Sequence, residues 1–119
     1  MKELFEDKQI GIDIVDVDRF RKKNLIKNQS FYKKLFTDLE ISYCKNFSDP
    51  YPHFAGKFAL KEAVQKSIQE KISFKNIETF HINSKPKIKI ENKDKNYDFI
   101  VSISHEKKYA IAIAISKKN

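Results

Sequence analysis

The sequence predicts an α+β domain in which an antiparallel sheet packs against a long central helix. Three observations carry this: apolar alternation over residues 9–15, a broad apolar helix over about 53–70, and two strand pairs joined by short polar turns in the second half. The 119 residues show no repeat, no Gly/Ser linker and no low-complexity tract, so one domain over 1–119 is expected.

Ile10, Ile12 and Ile14 alternate with Gly11, Asp13 and Val15, the period of a first strand. Asp16 or Asp18 is placed to cap a helix running through Arg19 to about residue 28. Thr37-Asp38-Leu39-Glu40 is a capping box, opening a short helix through Tyr43 to residue 46. Asp49-Pro50-Tyr51-Pro52 then breaks the chain and starts the longest helix. Strands follow over 77–82 and 86–91 around Asn83-Ser84-Lys85, and over 99–104 and 109–116 around His105-Glu106-Lys107-Lys108, as a meander with an exposed polar segment at 92–96. The last strand sets Ile111, Ile113 and Ile115 on one face and Ala110, Ala112 and Ala114 on the other. Neither face suits water, and the alanine face admits either a helix or another subunit.

Lys plus Arg total 24 against 16 Asp plus Glu, a net charge of +8. That favours polyanionic partners: nucleic acid, anionic lipid, phosphorylated cofactors or an acidic protein. Only Arg19 and Arg21 are arginines, and the lysines spread along the whole chain, as a general compositional bias would also produce. Hydrophobic residues make up 40%, with 10 Phe and 5 Tyr, enough for a packed core. The lone Cys44 excludes an internal disulfide or a multi-cysteine zinc site. Two glycines exclude a Gly-rich phosphate loop. Residues 1–8 lack the apolar run of a signal peptide, and the longest apolar run, 109–115, is too short for a bilayer. A soluble, cytoplasmic protein without a membrane partner is expected.

Asp13 sits in an apolar strand, where Asp is disfavoured. It is either a strand-edge residue or a carboxylate held for metal or proton work. On the long helix Glu62 and Lys66 border a stripe of Ala55, Ala59 and Ala63, while Lys57 and Lys61 fall between apolar positions. Glu62 and Lys66 are spaced for an i,i+4 pair worth roughly 0.2–0.5 kcal/mol, or for chemistry. Asp13 with Glu62 would make a hard-oxygen site suited to Mg²⁺, leaving positions for water and phosphate oxygens. His105 is either a solvated turn residue or a phosphate donor helped by the Ser104 hydroxyl.

Gly11-Ile12-Asp13-Ile14-Val15 resembles the opening motif of holo-acyl-carrier-protein synthases. Phe54-Ala55-Gly56-Lys57-Phe58-Ala59-Leu60-Lys61-Glu62-Ala63-Val64-Gln65-Lys66 resembles their central helix, and Val101-Ser102-Ile103-Ser104-His105-Glu106 with Tyr109-Ala110 resembles their C-terminal hairpin. The three stretches stand in family order and spacing across nearly the whole chain.

The resemblance implies the 4′-phosphopantetheinyl transferase fold and an enzyme of fatty acid biosynthesis. Its reaction moves 4′-phosphopantetheine from coenzyme A to a serine of apo-acyl carrier protein and releases adenosine 3′,5′-bisphosphate. Asp13 and Glu62 would hold Mg²⁺, and with Lys66, which would stabilise charge on the diphosphate or the leaving group, they would be the catalytic residues. Lys57, Lys61 and His105, with Ser104 beside it, would bind coenzyme A phosphates. Arg19, Arg21 and Lys22 would dock the acidic carrier protein, and a homotrimer would place active sites between subunits, with the alanine face as a candidate interface. Two departures from the family pattern bear on coenzyme A contacts: Ser67-Ile68-Gln69-Glu70-Lys71 replaces a Gly-Thr-Gly loop, and Asn83-Ser84-Lys85-Pro86 lacks a glycine. The alternatives are a coenzyme A-binding family member without transfer activity and a small basic nucleic-acid module. A nucleic-acid module shows clustered Arg and aromatic sheet faces, which this composition lacks, so no nucleic acid is expected as partner.

Overall fold

In the computed structural model, residues 6–91 and 96–119 are described. Residues 1–5 of the charged N-terminal segment and 92–95 of the polar segment lie outside the described residues. The order is β1 (Lys8–Asp16), α1 (Asp18–Arg21), α2 (Gln29–Leu35), α3 (Asp38–Lys45), α4 (Tyr51–Ile68), a 3-10 turn (Phe74–Asn76), β2 (Ile77–Ile82), β3 (Lys85–Ile90), β4 (Tyr97–His105) and β5 (Tyr109–Lys118).

The sheet is antiparallel in the order β1-β5-β4, with Gly11 opposite Ala114, Asp13 opposite Ala112 and His105 opposite Ala110. β2 and β3 form a separate hairpin. The expected meander is therefore interrupted between β3 and β4, which pack together without a shared ladder. The hairpin turn forms without glycine, because Asn83 and Ser84 both take left-handed conformations, φ 51° and 65°.

Period-two alternation decides what each face meets. Gly11 and Val15 of β1 and Ala110, Ala112 and Ala114 of β5 turn inward, where their small side chains let α4 lie close on the sheet. The alanine face thus takes the helix and is not free for another subunit, while the isoleucine face stays open. Ile10, Ile12 and Ile14 on that face are between 54% and 63% exposed, beside Ile111 and Ile100. α4 itself is buried almost all round, from Pro52 through Ser67. That explains its broad apolar arc.

Two helical expectations change. α1 ends at Arg21 rather than near residue 28, because the Asn24 side chain accepts from the N–H groups of Ile26 (3.0 Å) and Lys27 (3.1 Å). This local turn competes with the helix ladder. A further helix, α2, follows and buries Tyr32 in an aromatic cluster with Phe20, Phe36 and Phe54, its ring 4.7 Å from that of Phe54. The Thr37–Glu40 capping box forms as the spacing predicts. At the end of α4, Gln69 takes the left-handed position (φ 56°) where a glycine often closes a helix, and the Gln65 side chain donates to the Ile72 carbonyl to hold the loop.

Candidate active site

β1 meets α4 backbone to backbone at Gly11, which sets Asp13, two residues further on the same face, beside the last turns of the helix. There the Lys66 ammonium donates to Asp13 Oδ1 (3.0 Å) and to the Ile12 carbonyl (3.1 Å). Lys66 is half exposed, while the Asp13 side chain is largely covered. Glu62 stands one helical turn before Lys66, and Lys66 turns across to Asp13 rather than forming the i,i+4 pair. The structure therefore brings Asp13 and Lys66 together, with Glu62 on the neighbouring turn.

The two other helix lysines lie in the core. Lys61 Nζ donates to Glu40 Oε1 (2.5 Å), the Leu35 carbonyl (2.9 Å) and the Phe74 carbonyl (2.8 Å). Its three N–H groups are all occupied and its side chain is fully buried. Lys61 is thus a structural cation, and the expectation that it binds a coenzyme A phosphate is corrected. Glu40 also accepts from the Thr37 N–H and from Thr79 N–H and Oγ1, tying α3, α4 and β2 together. Lys57 donates to Thr79 O (3.2 Å) and Oγ1 (2.9 Å), which uses two of its three N–H groups; its ammonium lies 4.6 Å from the Tyr43 ring, and the residue lines the same pocket as His105. Burial holds both lysines below the usual range.

His105 ends β4 and faces a pocket of about 200 Å³ beside α4. Gly56 makes room for it: a β-carbon there would stand 3.3 Å from His105 Cδ2. Ser104, one residue earlier, points to the opposite, exposed face of the strand. Ser104 and His105 therefore do not converge within this chain. Two further histidines, His53 and His81, line the same pocket. The sequence held no signal for this, since 53, 81 and 105 fall on three separate elements. A cavity of about 720 Å³ along the seam of β3 and β4 contains none of the expected site residues.

On α1 the three expected docking residues divide. Arg21 makes a bidentate pair with Asp49 (2.9 Å to each oxygen) and a bond to the Lys107 carbonyl (3.1 Å). Its fork is engaged within the chain, on Asp49 and the Lys107 carbonyl, while its side chain stays partly exposed. Arg19 lies over the Phe58 ring at 4.6 Å and is exposed, as is Lys22. Cys44 is buried, with its thiol pushed up to about 12 by burial, and is no nucleophile.

The sequence profile of the 4′-phosphopantetheinyl transferase superfamily matches residues 9–114. The chain is 40% identical over 109 residues to the holo-[acyl-carrier-protein] synthase of Thermodesulfovibrio yellowstonii, covering 89% of this chain and 95% of that one. It is likewise 40% identical over 119 residues to the synthase of Caldicellulosiruptor saccharolyticus, covering 92% and 95%. The crystal structure of the Helicobacter pylori synthase in complex with coenzyme A superposes with a TM-score of 0.80 at 32% identity, covering 91% of this chain and 99% of that one. Among the described residues no helix is long and apolar enough to cross a membrane.

Proposed function

The chain belongs to the 4′-phosphopantetheinyl transferase superfamily, and from that premise we propose that it is a holo-[acyl-carrier-protein] synthase. It moves 4′-phosphopantetheine from coenzyme A to a serine of apo-acyl carrier protein, with release of adenosine 3′,5′-bisphosphate. The contact between Lys66 and Asp13 carries this reading, because it joins the first-strand motif and the helix motif at one place.

Asp13 and Glu62 are hard-oxygen donors whose chemistry fits Mg²⁺. Among the described residues no cluster of three or more His, Cys, Asp or Glu is placed to hold a metal ion, so two carboxylates are what this chain brings to it. Asp13 and Glu62 would hold the ion, which would supply neutralisation of the diphosphate and polarisation of the phosphorus under attack. Lys66, on its long exposed stem, stabilises the negative charge left on the departing bisphosphate. The attacking hydroxyl belongs to the carrier serine, so no nucleophile is required of this chain. His105 and the remaining N–H of Lys57 hold a coenzyme A phosphate, and Arg19 with Lys22 steers the acidic carrier.

A homotrimer is part of the same proposal. The outward isoleucines of β1 and β5 form a contiguous apolar face that a lone soluble chain rarely leaves open, and copies of this chain would cover it.

Incubation with coenzyme A, Mg²⁺ and apo-acyl carrier protein tests the reading. Mass spectrometry is expected to show the carrier heavier by one phosphopantetheine group. An unmodified carrier, with the protein folded and coenzyme A bound, would overturn it in favour of a binder without transfer.

A further inference from the structure

All three histidines of the chain face one pocket: His53 from the start of α4, His81 from β2 and His105 from the end of β4. Their rings are held in place. His53 stacks on Phe47 at 3.5 Å and meets His105 edge-on at 4.7 Å, while His81 stacks on Tyr43 at 4.7 Å. Lys57 adds its ammonium, and no carboxylate lines the wall. His81 Nδ1 is buried without a hydrogen-bond partner. A cavity walled by four nitrogen bases and no acid is built for an anion, and about 200 Å³ accommodates a phosphate group.

We infer that His53 and His81 complete, with His105 and Lys57, a proton-coupled phosphate site: a phosphate monoester dianion entering the pocket draws protons from solvent onto the His53 and His81 imidazoles, and its departure returns them. The inference rests on the proposed reading, in which His105 holds a coenzyme A phosphate, and adds how that binding depends on pH.

The surroundings set the direction. His53 is held below the usual range by burial, then by His105, His81 and Lys57, against a single opposing pull from Asp49. His81 is lowered by burial, then by Lys57 and His105. Lys57 in turn feels Cys44, Glu40 and Glu78 behind it. The empty pocket near neutrality therefore favours uncharged imidazoles at 53 and 81. A dianion reverses the sign of the local field and favours the charged form. Binding then takes up protons, and affinity falls as pH rises through the bound-state values.

Calorimetry of coenzyme A binding to the wild-type protein, in buffers of low and high ionisation enthalpy, decides this. At about pH 7.5 the phosphate itself, with a second pKa of about 6, contributes little. Net proton uptake is expected, with Kd weakening as pH rises, toward the about 10-fold per pH unit that uptake of one proton implies. Dephospho-coenzyme A, which lacks the monoester, is expected to bind without uptake. His53→Asn and His81→Asn, measured singly so that each fold can be checked by thermal denaturation, are expected to lower the uptake and flatten the pH profile. Buffer-independent enthalpy with coenzyme A still bound, or equal uptake with dephospho-coenzyme A, would overturn the inference and leave the transferase reading standing. No binding of coenzyme A at any pH would overturn both.

Discussion

A β-carbon on Gly11 would stand 1.9 Å from the carbonyl oxygen of Ala63 and 2.7 Å from the Ser67 nitrogen. Both neighbours are helix backbone, which cannot rotate aside. Glycine at position 11 is therefore the condition for seating β1 on α4, and with it Asp13 beside Lys66. Gly11→Ala must lift the strand from the helix. We expect a loss of about 1–3 kcal/mol of stability, as for an overpacked core, together with a fall in transfer rate. Urea denaturation and the transfer assay measure the two; full stability and rate in the variant would show that the contact is dispensable.

Asp13→Ala and Glu62→Gln are each expected to lower the transfer rate by orders of magnitude while the thermal transition stays close to wild type. The parent protein in excess EDTA is expected to be equally slow, and added Mg²⁺ to restore it. A wild-type rate from either variant would remove these carboxylates from the reaction.

Lys61→Met leaves the Glu40 carboxylate buried without its counter-charge. Breaking such a pair from one side costs about 3–5 kcal/mol, read as a lower urea midpoint. Adding Glu40→Gln is expected to recover part of the loss, since the orphaned charge is then gone. If Lys61→Met instead kept its stability and lost only coenzyme A affinity, the buried role would be wrong.

Arg21 and Asp49 give a pH test. The hydrogen bonds from Arg21 hold the Asp49 carboxyl below its usual value. The stability this adds is present above the unfolded-state value of about 3.9 and is lost as pH falls through the lower folded one. The pair is partly solvated, so screening limits it to about 0.2–1 kcal/mol. Asp49→Asn is therefore expected to be less stable than wild type near neutral pH, the difference vanishing in acid. A difference that grows in acid would contradict the pairing. Arg19→Ala, by contrast, is expected to raise the carrier-protein KM while lowering stability by no more than about 0.5–1 kcal/mol, the worth of its contact with the Phe58 ring.

Ile14→Asp places a charge on the exposed isoleucine face without touching α4. Sedimentation is expected to show a trimer for the parent and a monomer for the variant. A monomeric parent at micromolar concentration would refute the trimer.

Local chemistry could be read directly from the sequence wherever its partners lie a few residues apart. The Thr37–Glu40 capping box, a hairpin turn at Asn83-Ser84 and the alternation of β1 and β5 are of this kind. Periodicity carried the α+β architecture, and the three motifs carried the family, because their order along the chain is itself the signal. What the tertiary structure decided depends on residues distant in sequence. Two apolar faces on β5 are equivalent by periodicity, and only the docking of α4 shows that alanine goes in and isoleucine out. Lys61 at a helix position reads alike whether it meets a phosphate or Glu40, 21 residues earlier. Arg21 likewise meets Asp49, 28 residues on, and the three histidines converge only once β2 and β4 flank the start of α4. Periodicity reports which residues share a face. The long-range packing selects what that face touches, and a charged side chain takes its role from the partner it finds there.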